Sequence, residues 1–551
     1  MAGLMVAIAN SISSNYVASA GGGYDPDAEA FIIATGISGG DANAINELVL
    51  DLKGANIWTK FNALYPIIGT TATQQKFNLK NPADTNAAFR LSFSGGWTHS
   101  ATGATPNGIN AYADTNLIPS TTLQLNSTHL SFYSRTNVNL NQVEIGNQSS
   151  LAYLVIQARV SNLSYFLTYT NTITSAADTN SAAFYIGNRT ASNVTNGFRN
   201  NVKIFNSTLA STSRTTNAIY IGAMQNLSNV ASTYSNKECS FASIGSGLND
   251  TESQLFYQIV EKYQVALGRN INPLQSFYYN RNYNNEANAY LFSTQIADTT
   301  QQVALNTLVS DMKTYGIWSK MKAVYPVMGT TATQQKFNLV NPQDTNAAYR
   351  LTFAGGWTHA STGMTPDGTN AYANTNFIAN GNLSLYNSHQ SYYSRTSGNP
   401  ASIQCFMGNN SNTGVFNNKA VWNINYQNTG AVIATQHSIA TATDYANATG
   451  QTSRAAFWMN NRTSSTSTTL KVWKNGSSIA NATTTPGGEV LNTSSTYLGA
   501  RRNTTAASPF AELYTDAECA FASIGDGLTD TEAANFYTAV QNFQTSLGRQ
   551  V

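Results

Sequence analysis

The sequence has 551 residues, too long for one hydrophobic core, since single cores stop growing at roughly 250–300 residues; two large domains are expected. Only 10% of residues are charged, and 29 Lys and Arg against 27 Asp and Glu leave a net charge of +2, which removes any electrostatic reason to gather on nucleic acid or an anionic membrane. Polarity comes instead from Asn, Thr, Ser and Gly, while 29 Tyr and 24 Phe supply strand-compatible bulk, the composition of an all-β protein.

In chain order, residues 1–9 are apolar but lack a basic start, and the run breaks at Asn10, well short of a bilayer span. They read as neither signal peptide nor transmembrane helix. Residues 1–23 are expected to form an N-terminal attachment or assembly arm that docks on another chain. After Asp41, the residues Ile45, Leu48, Val49 and Leu52 fall at helical spacing. The segment 69–90 then recurs as 329–350, with only positions 80, 83 and 89 differing from their counterparts, so 19 of 22 residues are identical at an offset of 260. The identity continues through Gly95-Gly96-Trp97-Thr98-His99 against Gly355-Gly356-Trp357-Thr358-His359, and through Tyr133-Ser134-Arg135-Thr136 against Tyr393-Ser394-Arg395-Thr396. Trp97 and Trp357, inside an identical stretch of both copies, are expected in the core.

Short alternating runs at 151–159, 183–187 and 218–222, separated by Asn, Gly and Ser clusters, predict many short strands and hence a sandwich or jelly roll. Asn249 and Glu252 have capping-box spacing ahead of Leu255, Phe256, Ile259, Tyr263 and Leu267, which predicts a closing helix ending at Gly268. In the second copy, Ala304, Leu305, Leu308, Val309 and Met312 repeat the opening helix, and Thr529, Glu532, Phe536, Val540, Phe543 and Leu547 repeat the closing one. Ala242-Ser243-Ile244-Gly245 pairs with Ala522-Ser523-Ile524-Gly525 at an offset of 280, so the second copy holds 20 extra residues between about 397 and 518. The predicted organisation is an arm at 1–23, a first sandwich at 24–270, a junction at 271–283 and a second sandwich at 284–551. Cys239 and Cys519 fall at equivalent places and read, with Cys405, as buried apolar residues rather than disulfides.

The Gly355 to His359 run, Ser391-Tyr392-Tyr393-Ser394-Arg395-Thr396, and the closing 521–532 stretch resemble the tandem concanavalin A-like, laminin G-like jelly-roll modules of bacteriophage structural proteins. The resemblance implies an all-β chain of two tandem antiparallel sandwiches flanked by short helices, in a family of head or tail fibres, appendages, capsid decorations and adhesins that often bind carbohydrate. It implies a non-enzymatic virion structural protein at the virion surface, held to other virion proteins through its arm, homo-oligomeric with a trimer favoured, and with no nucleic acid or membrane insertion. The alternative is a carbohydrate-binding receptor or adhesin at the cell surface that recognises host glycans. A glycoside hydrolase is the third reading.

A hydrolase of this fold needs two carboxylates about 5–10 Å apart across a cleft. Glu512, Asp516 and Glu518 come nearest, but the first copy replaces that stretch with Tyr234-Ser235-Asn236-Lys237-Glu238, so no catalytic residue is assigned. His99 and His359 lack zinc-site neighbours and read as packed structural residues. No cofactor is assigned; calcium at Asp84 and Asp344, in repeated Asp-Thr-Asn tripeptides, competes with an Asx-turn. Sugar sites pair aromatic platforms with planar amides, which makes Trp422, Tyr426, Trp458, Asn460, Arg462 and Trp473 the candidates, with Asn423 and Asn425 beside them. The competing reading puts Trp422 and Tyr426 on the inward face of a strand.

Overall fold

The repeat read in the sequence is a repeat of architecture. In a computed structural model describing residues 23–272, 278–412, 419–439, 445–482, 490–504 and 510–551, the chain divides into two units between Ile271 and Asn272. Of the expected arm, residues 1–22 lie outside the described residues, as do 273–277 of the expected junction.

Among the described residues, the first unit contains an eight-stranded and a nine-stranded sheet. The eight-stranded sheet runs Val202–Ser207, Val194–Arg199, Ala183–Ala191, Thr128–Ser134, Cys239–Gly245, Gly103–Pro106, Trp97–Ser100, with Phe61–Tyr65 also pairing on Cys239–Gly245. The other runs Ser175–Ala177, Leu163–Thr170, Ala152–Val160, Ile145–Ser149, Tyr220–Ile221, Tyr112–Asp114, Ser92–Ser94. Pairing is antiparallel except for Met224–Gln225, which lies parallel to Ile145–Ser149. The second unit repeats both strand orders, including the parallel pairing, now between Arg501–Asn503 and Gln404–Asn412. Both units are therefore antiparallel β-sandwiches of one topology.

Leu130, Phe132, Leu154, Ile156, Phe166 and Tyr185 fill the first sandwich from both sheets. In the second, Tyr392, Phe406, Trp422, Ile424, Tyr426 and Trp458 do so. The closing helices Asp250–Ala266 and Asp530–Ser546 form as predicted, each with a complete capping box. They cover the outer face of the eight-stranded sheet, where Phe256 meets Phe184 at 5.3 Å and Phe536 meets Phe457 at 5.5 Å. The predicted opening helices span Gly39–Gly54 and Thr299–Thr314. Each is preceded by a further helix the periodicity did not reveal, Pro26–Thr35 and Asn285–Thr294. For the first, the signal was Asp25-Pro26-Asp27: Asp25 Oδ1 accepts from the Asp27 N–H at 3.0 Å, and Pro26 stands in the first turn, where its missing N–H costs nothing.

A buried arginine ends each unit and ties helix to sheet. Arg269 donates to the carbonyls of Ile67 at 2.7 Å, Pro66 at 2.8 Å and Ser240 at 3.0 Å, and to Gln264 Oε1 at 2.6 Å. Arg549 repeats this with Val327, Pro326, Ala520 and Gln544. Ile67 and Val327 sit at φ 41° and 47°, a left-handed conformation costly for a β-branched residue, and the guanidinium holds the carbonyl that this conformation turns inward.

Candidate functional site

The predicted sugar-binding residues of the second unit are interior residues. On Lys419–Tyr426 the side chains of Trp422, Ile424 and Tyr426 alternate into the core, as the competing reading had it. Trp458 is also buried; its indole donates to the Arg454 carbonyl at 2.8 Å and meets Tyr426 edge-on at 5.7 Å. Trp473 is buried beneath Lys471, whose Nζ lies 5.9 Å from the ring. The Asn460 amide is spent on the carbonyls of Asn423 and Thr435, and Arg462 donates to the Ser464 and Ser465 carbonyls over the Tyr386 ring. None of the six offers a face to a ligand in solvent: the strand period turns Trp422, Tyr426 and Trp458 toward the opposite sheet, and Trp473, outside that core cluster, is buried as well.

Part of this was legible. Asn461-Arg462-Thr463 repeats Asn188-Arg189-Thr190, a match hidden by its offset of 273. Asn188 and Asn461 exchange hydrogen bonds with the backbones of Leu248 and Leu528, and Arg189 binds the Thr168 carbonyl at 2.7 Å and the Ser192 carbonyl at 2.6 Å. The pair is scaffold in both copies.

Asp84 and Asp344 are held in ion pairs rather than in an Asx-turn. Asp84 pairs with Lys76 at 2.6 Å and Arg90 at 2.8 Å, Asp344 with Lys336 at 2.7 Å and Arg350 at 2.6 Å. Both carboxyls are held below their usual range, Asp84 first by the Lys76 hydrogen bond, Asp344 by Lys336 and Arg350 against the desolvation that opposes them. A metal ion would have to displace two cations, and no group of three or more metal-ligating side chains occurs among the described residues. Glu512, Asp516 and Glu518 each face an arginine: Arg501, Arg454 and Arg395. Among the described residues no helix is long and apolar enough to cross a membrane.

What both units do present is a rim where the two sheets end side by side. The edge strand Trp97–Ser100 carries Trp97, and the edge strand Ser92–Ser94 carries Phe93. The tight turn between them needs Gly95 and Gly96. A Cβ on Gly95, at φ 75°, would stand 2.2 Å from the Asn110 carbonyl oxygen, and one on Gly96 2.4 Å from Asn107 Nδ2. Trp97 is half-buried, not core: its indole N–H is shared between the carbonyls of Ser94 at 3.1 Å and Tyr112 at 3.2 Å, and its ring lies over Gly222. Phe93 meets it at 5.2 Å and His99 stacks at 6.3 Å, with His99 Nδ1 2.6 Å from Gln75 Oε1. Burial lowers the His99 pKa. Beside them Tyr112 stacks on Tyr220 at 4.7 Å, and Asn107 Oδ1 accepts from the N–H groups of Ile109, Asn110 and Ala111.

The second unit rebuilds the rim: Trp357 to Ala354 and Tyr372 carbonyls at 3.1 and 3.3 Å, Phe353 at 5.4 Å, His359 at 6.3 Å, Tyr372 on Tyr497 at 4.4 Å. Asp367 replaces Asn107, with its pKa lowered to about 2 by the N–H groups of Asn370 and Thr369. The expectation that Trp97 and Trp357 are core residues is thus corrected: they plug the open end of the sandwich with one face inward. The result is a π surface beside an Asx loop, whose planar edges and carbonyls suit a ligand with apolar faces and hydroxyl rims.

No family model and no curated protein matches the chain. Solved structures similar to parts of it include domain 4 of an extracellular arabinanase from Geobacillus stearothermophilus in complex with arabinotriose, 12% identical over 36% of this chain and 98% of that one, TM-score 0.24. A Trypanosoma rangeli sialidase in complex with sialic acid is 8% identical over 64% of this chain and 48% of the sialidase, TM-score 0.31. The receptor-binding domain of botulinum neurotoxin type G is 11% identical over 40% and 51%, TM-score 0.22. Each likeness is partial and weak, so the fold and the rim rest on the chain's own geometry.

Proposed function

We propose that the chain is a non-catalytic surface protein that binds carbohydrate through its two aromatic rims. The carrying observation is that both sandwiches keep the same half-buried indole, stacked tyrosine pair and Asx loop at corresponding places. A sugar ring stacks on an indole or phenol face, and the Asn and Asp oxygens and amides at its edge take the hydroxyls. The arginine pairing of Glu512, Asp516 and Glu518 supports a binding role over hydrolysis, because a carboxylate held by a guanidinium is a poor general acid. The resemblance to phage appendage modules supports display on a virion surface, with attachment through residues 1–23 and a homotrimeric assembly. Display as an adhesin on a cell surface is the alternative location.

The test is a glycan array on the full chain and on its Trp97→Ala/Trp357→Ala variant. Binding by the parent that falls at least tenfold in the variant, with both domains still folded, supports the reading. A parent that binds no glycan, or a variant that binds as well as the parent, ends it.

A further inference from the structure

The second sandwich differs from the first at a buried β-bulge. Strands Lys419–Tyr426 and Val432–Ile439 pair Asn423 with Thr435 but Val421 with Ser438, a β-bulge that leaves Trp422 facing two residues, Gln436 and His437, with His437 at φ 52°. The first sandwich has the same bulge, with Tyr169 at φ 57° and Leu154 at the Trp422 position. Where the first copy has Leu154, Tyr169 and Gly187 the second has Trp422, His437 and Asn460, and the Tyr169 hydroxyl of the first copy accepts from Thr128 Oγ1 at 3.4 Å. Trp422 and His437 rings lie 4.8 Å apart, and both residues are fully buried. The Asn492 N–H points at His437 Nδ1 at 3.4 Å, which puts the proton of the neutral ring on Nε2. Asn409, directly opposite Trp422 on the neighbouring strand, donates to the Ser494 carbonyl at 2.8 Å and faces Thr496 Oγ1 at 3.2 Å. Asn460 reaches across the core to the carbonyls of Asn423 at 3.1 Å and Thr435 at 2.6 Å, on either side of the bulge.

After these bonds, four buried polar atoms around the bulge have no partner among the described residues: Trp422 Nε1, His437 Nε2, Asn409 Oδ1 and Asn460 Oδ1. Two are donors and two are acceptors. In the first sandwich the corresponding demands do not arise, because Leu154 and Gly187 carry no polar side chain and Asn147 Oδ1 accepts from Thr215 Oγ1 at 2.8 Å. Leaving such atoms unsatisfied in a core is costly, and a chain that kept all four has something to satisfy them.

We propose that this bulge is a built internal site for ordered water, present in the second sandwich and absent from the first. Water fits the chemistry: one molecule gives and takes hydrogen bonds at once, which matches an equal set of donors and acceptors. An ion is a poorer match, since among the described residues no carboxylate lines the site and the imidazole facing it is neutral, burial holding His437 near a pKa of about 3.

Two measurements on the full chain test this. In a high-resolution crystal structure, a density peak within about 3.2 Å of both Trp422 Nε1 and Asn409 Oδ1 is expected. A direct Trp422 Nε1 to Asn409 Oδ1 bond with no peak overturns the proposal. In solution, water-proton relaxation dispersion counts long-lived internal waters. The Trp422→Leu/His437→Tyr/Asn460→Gly variant, which installs the first sandwich's residues, is expected to lose at least one. An unchanged count in a folded variant overturns it, and should the variant fail to fold, the crystal result on the parent decides alone.

Discussion

Lys237 Nζ lies 2.8 Å from Glu144 Oε1 with both side chains fully buried, and the second domain replaces the pair with Ala517 and Phe406. The correspondence is fixed by the backbone: the Gly222 N–H donates to the Glu144 carbonyl as Gly499 does to Phe406, and Lys237 precedes Glu238 as Ala517 precedes Glu518, each glutamate accepting from an equivalent arginine N–H. Phe406 stacks on Tyr392 at 5.0 Å, and the Tyr392 hydroxyl donates to the Ala517 carbonyl at 2.7 Å, whereas the first domain has Phe132 there. One scaffold thus holds an ion pair in one copy and an apolar stack in the other.

Removing one partner of a buried pair strands the other charge. Lys237→Ala is expected to destabilise the first domain by about 3–5 kcal/mol, while the Phe132→Tyr/Glu144→Phe/Lys237→Ala set recovers most of that loss, since apolar replacement of a buried pair is often neutral or better. Urea denaturation followed by a first-domain probe measures both. A triple variant no more stable than Lys237→Ala alone would show that the two domains' solutions are not interchangeable.

His129 and His389 predict acid sensitivity. Each is fully buried, with Nδ1 2.6 Å from the Ser246 or Asp526 carbonyl and Nε2 3.0 or 3.1 Å from Ser243 or Ser523 Oγ, and burial pushes each pKa down to about 4. The unfolded chain takes up these protons near pH 6.5 and the folded chain only near 4. The stability that each of these two histidines contributes is therefore complete above about pH 6.5 and falls as pH drops toward 4, by on the order of 3 kcal/mol per histidine. The urea midpoint should already fall between pH 7 and 5, above most carboxylate titration, and His129→Gln should weaken that dependence in the first domain, while His389→Gln leaves the second domain the share of buried His437, whose pKa burial lowers to about 3. A midpoint constant over this range in the parent refutes the assignment.

Arg549→Met removes the donors that hold the Pro326, Val327 and Ala520 carbonyls, leaving buried acceptors unsatisfied at about 1–3 kcal/mol each. The Tm of the second domain is expected to fall by several degrees, and Arg549→Lys should not restore it, because an ammonium on a flexible stem cannot span three carbonyls as the planar fork does. Full rescue by lysine would mean that charge alone, and not the fork geometry, closes the domain.

The distinction between core and rim tryptophans is measurable within one domain. Trp458→Ala is expected to cost about 3–5 kcal/mol, and Trp357→Ala about 2 kcal/mol because its ring is only partly buried. Equal losses by chemical denaturation would return Trp357 to the core.

The sequence by itself determined the duplication, the all-β sandwich class and the four helices with capping boxes or 3.6-residue periodicity, because repeats, turn residues and amphipathic spacing are local signals. It also predicted that Trp422 and Tyr426 share a strand face. It offered that face both as a sugar platform and as an inward one, and the tertiary structure decided for the inward one, placing Trp422, Tyr426 and Trp458 in the core. Asp84 looked like a turn or a metal ligand until folding brought Lys76 and Arg90 to its carboxyl. Trp97 recurred as a core residue would, but its place on an edge strand, where two sheets stop together, leaves the indole partly exposed. Only the three-dimensional pairing decides such cases, because burial depends on which distant strand arrives opposite, and no local pattern encodes that.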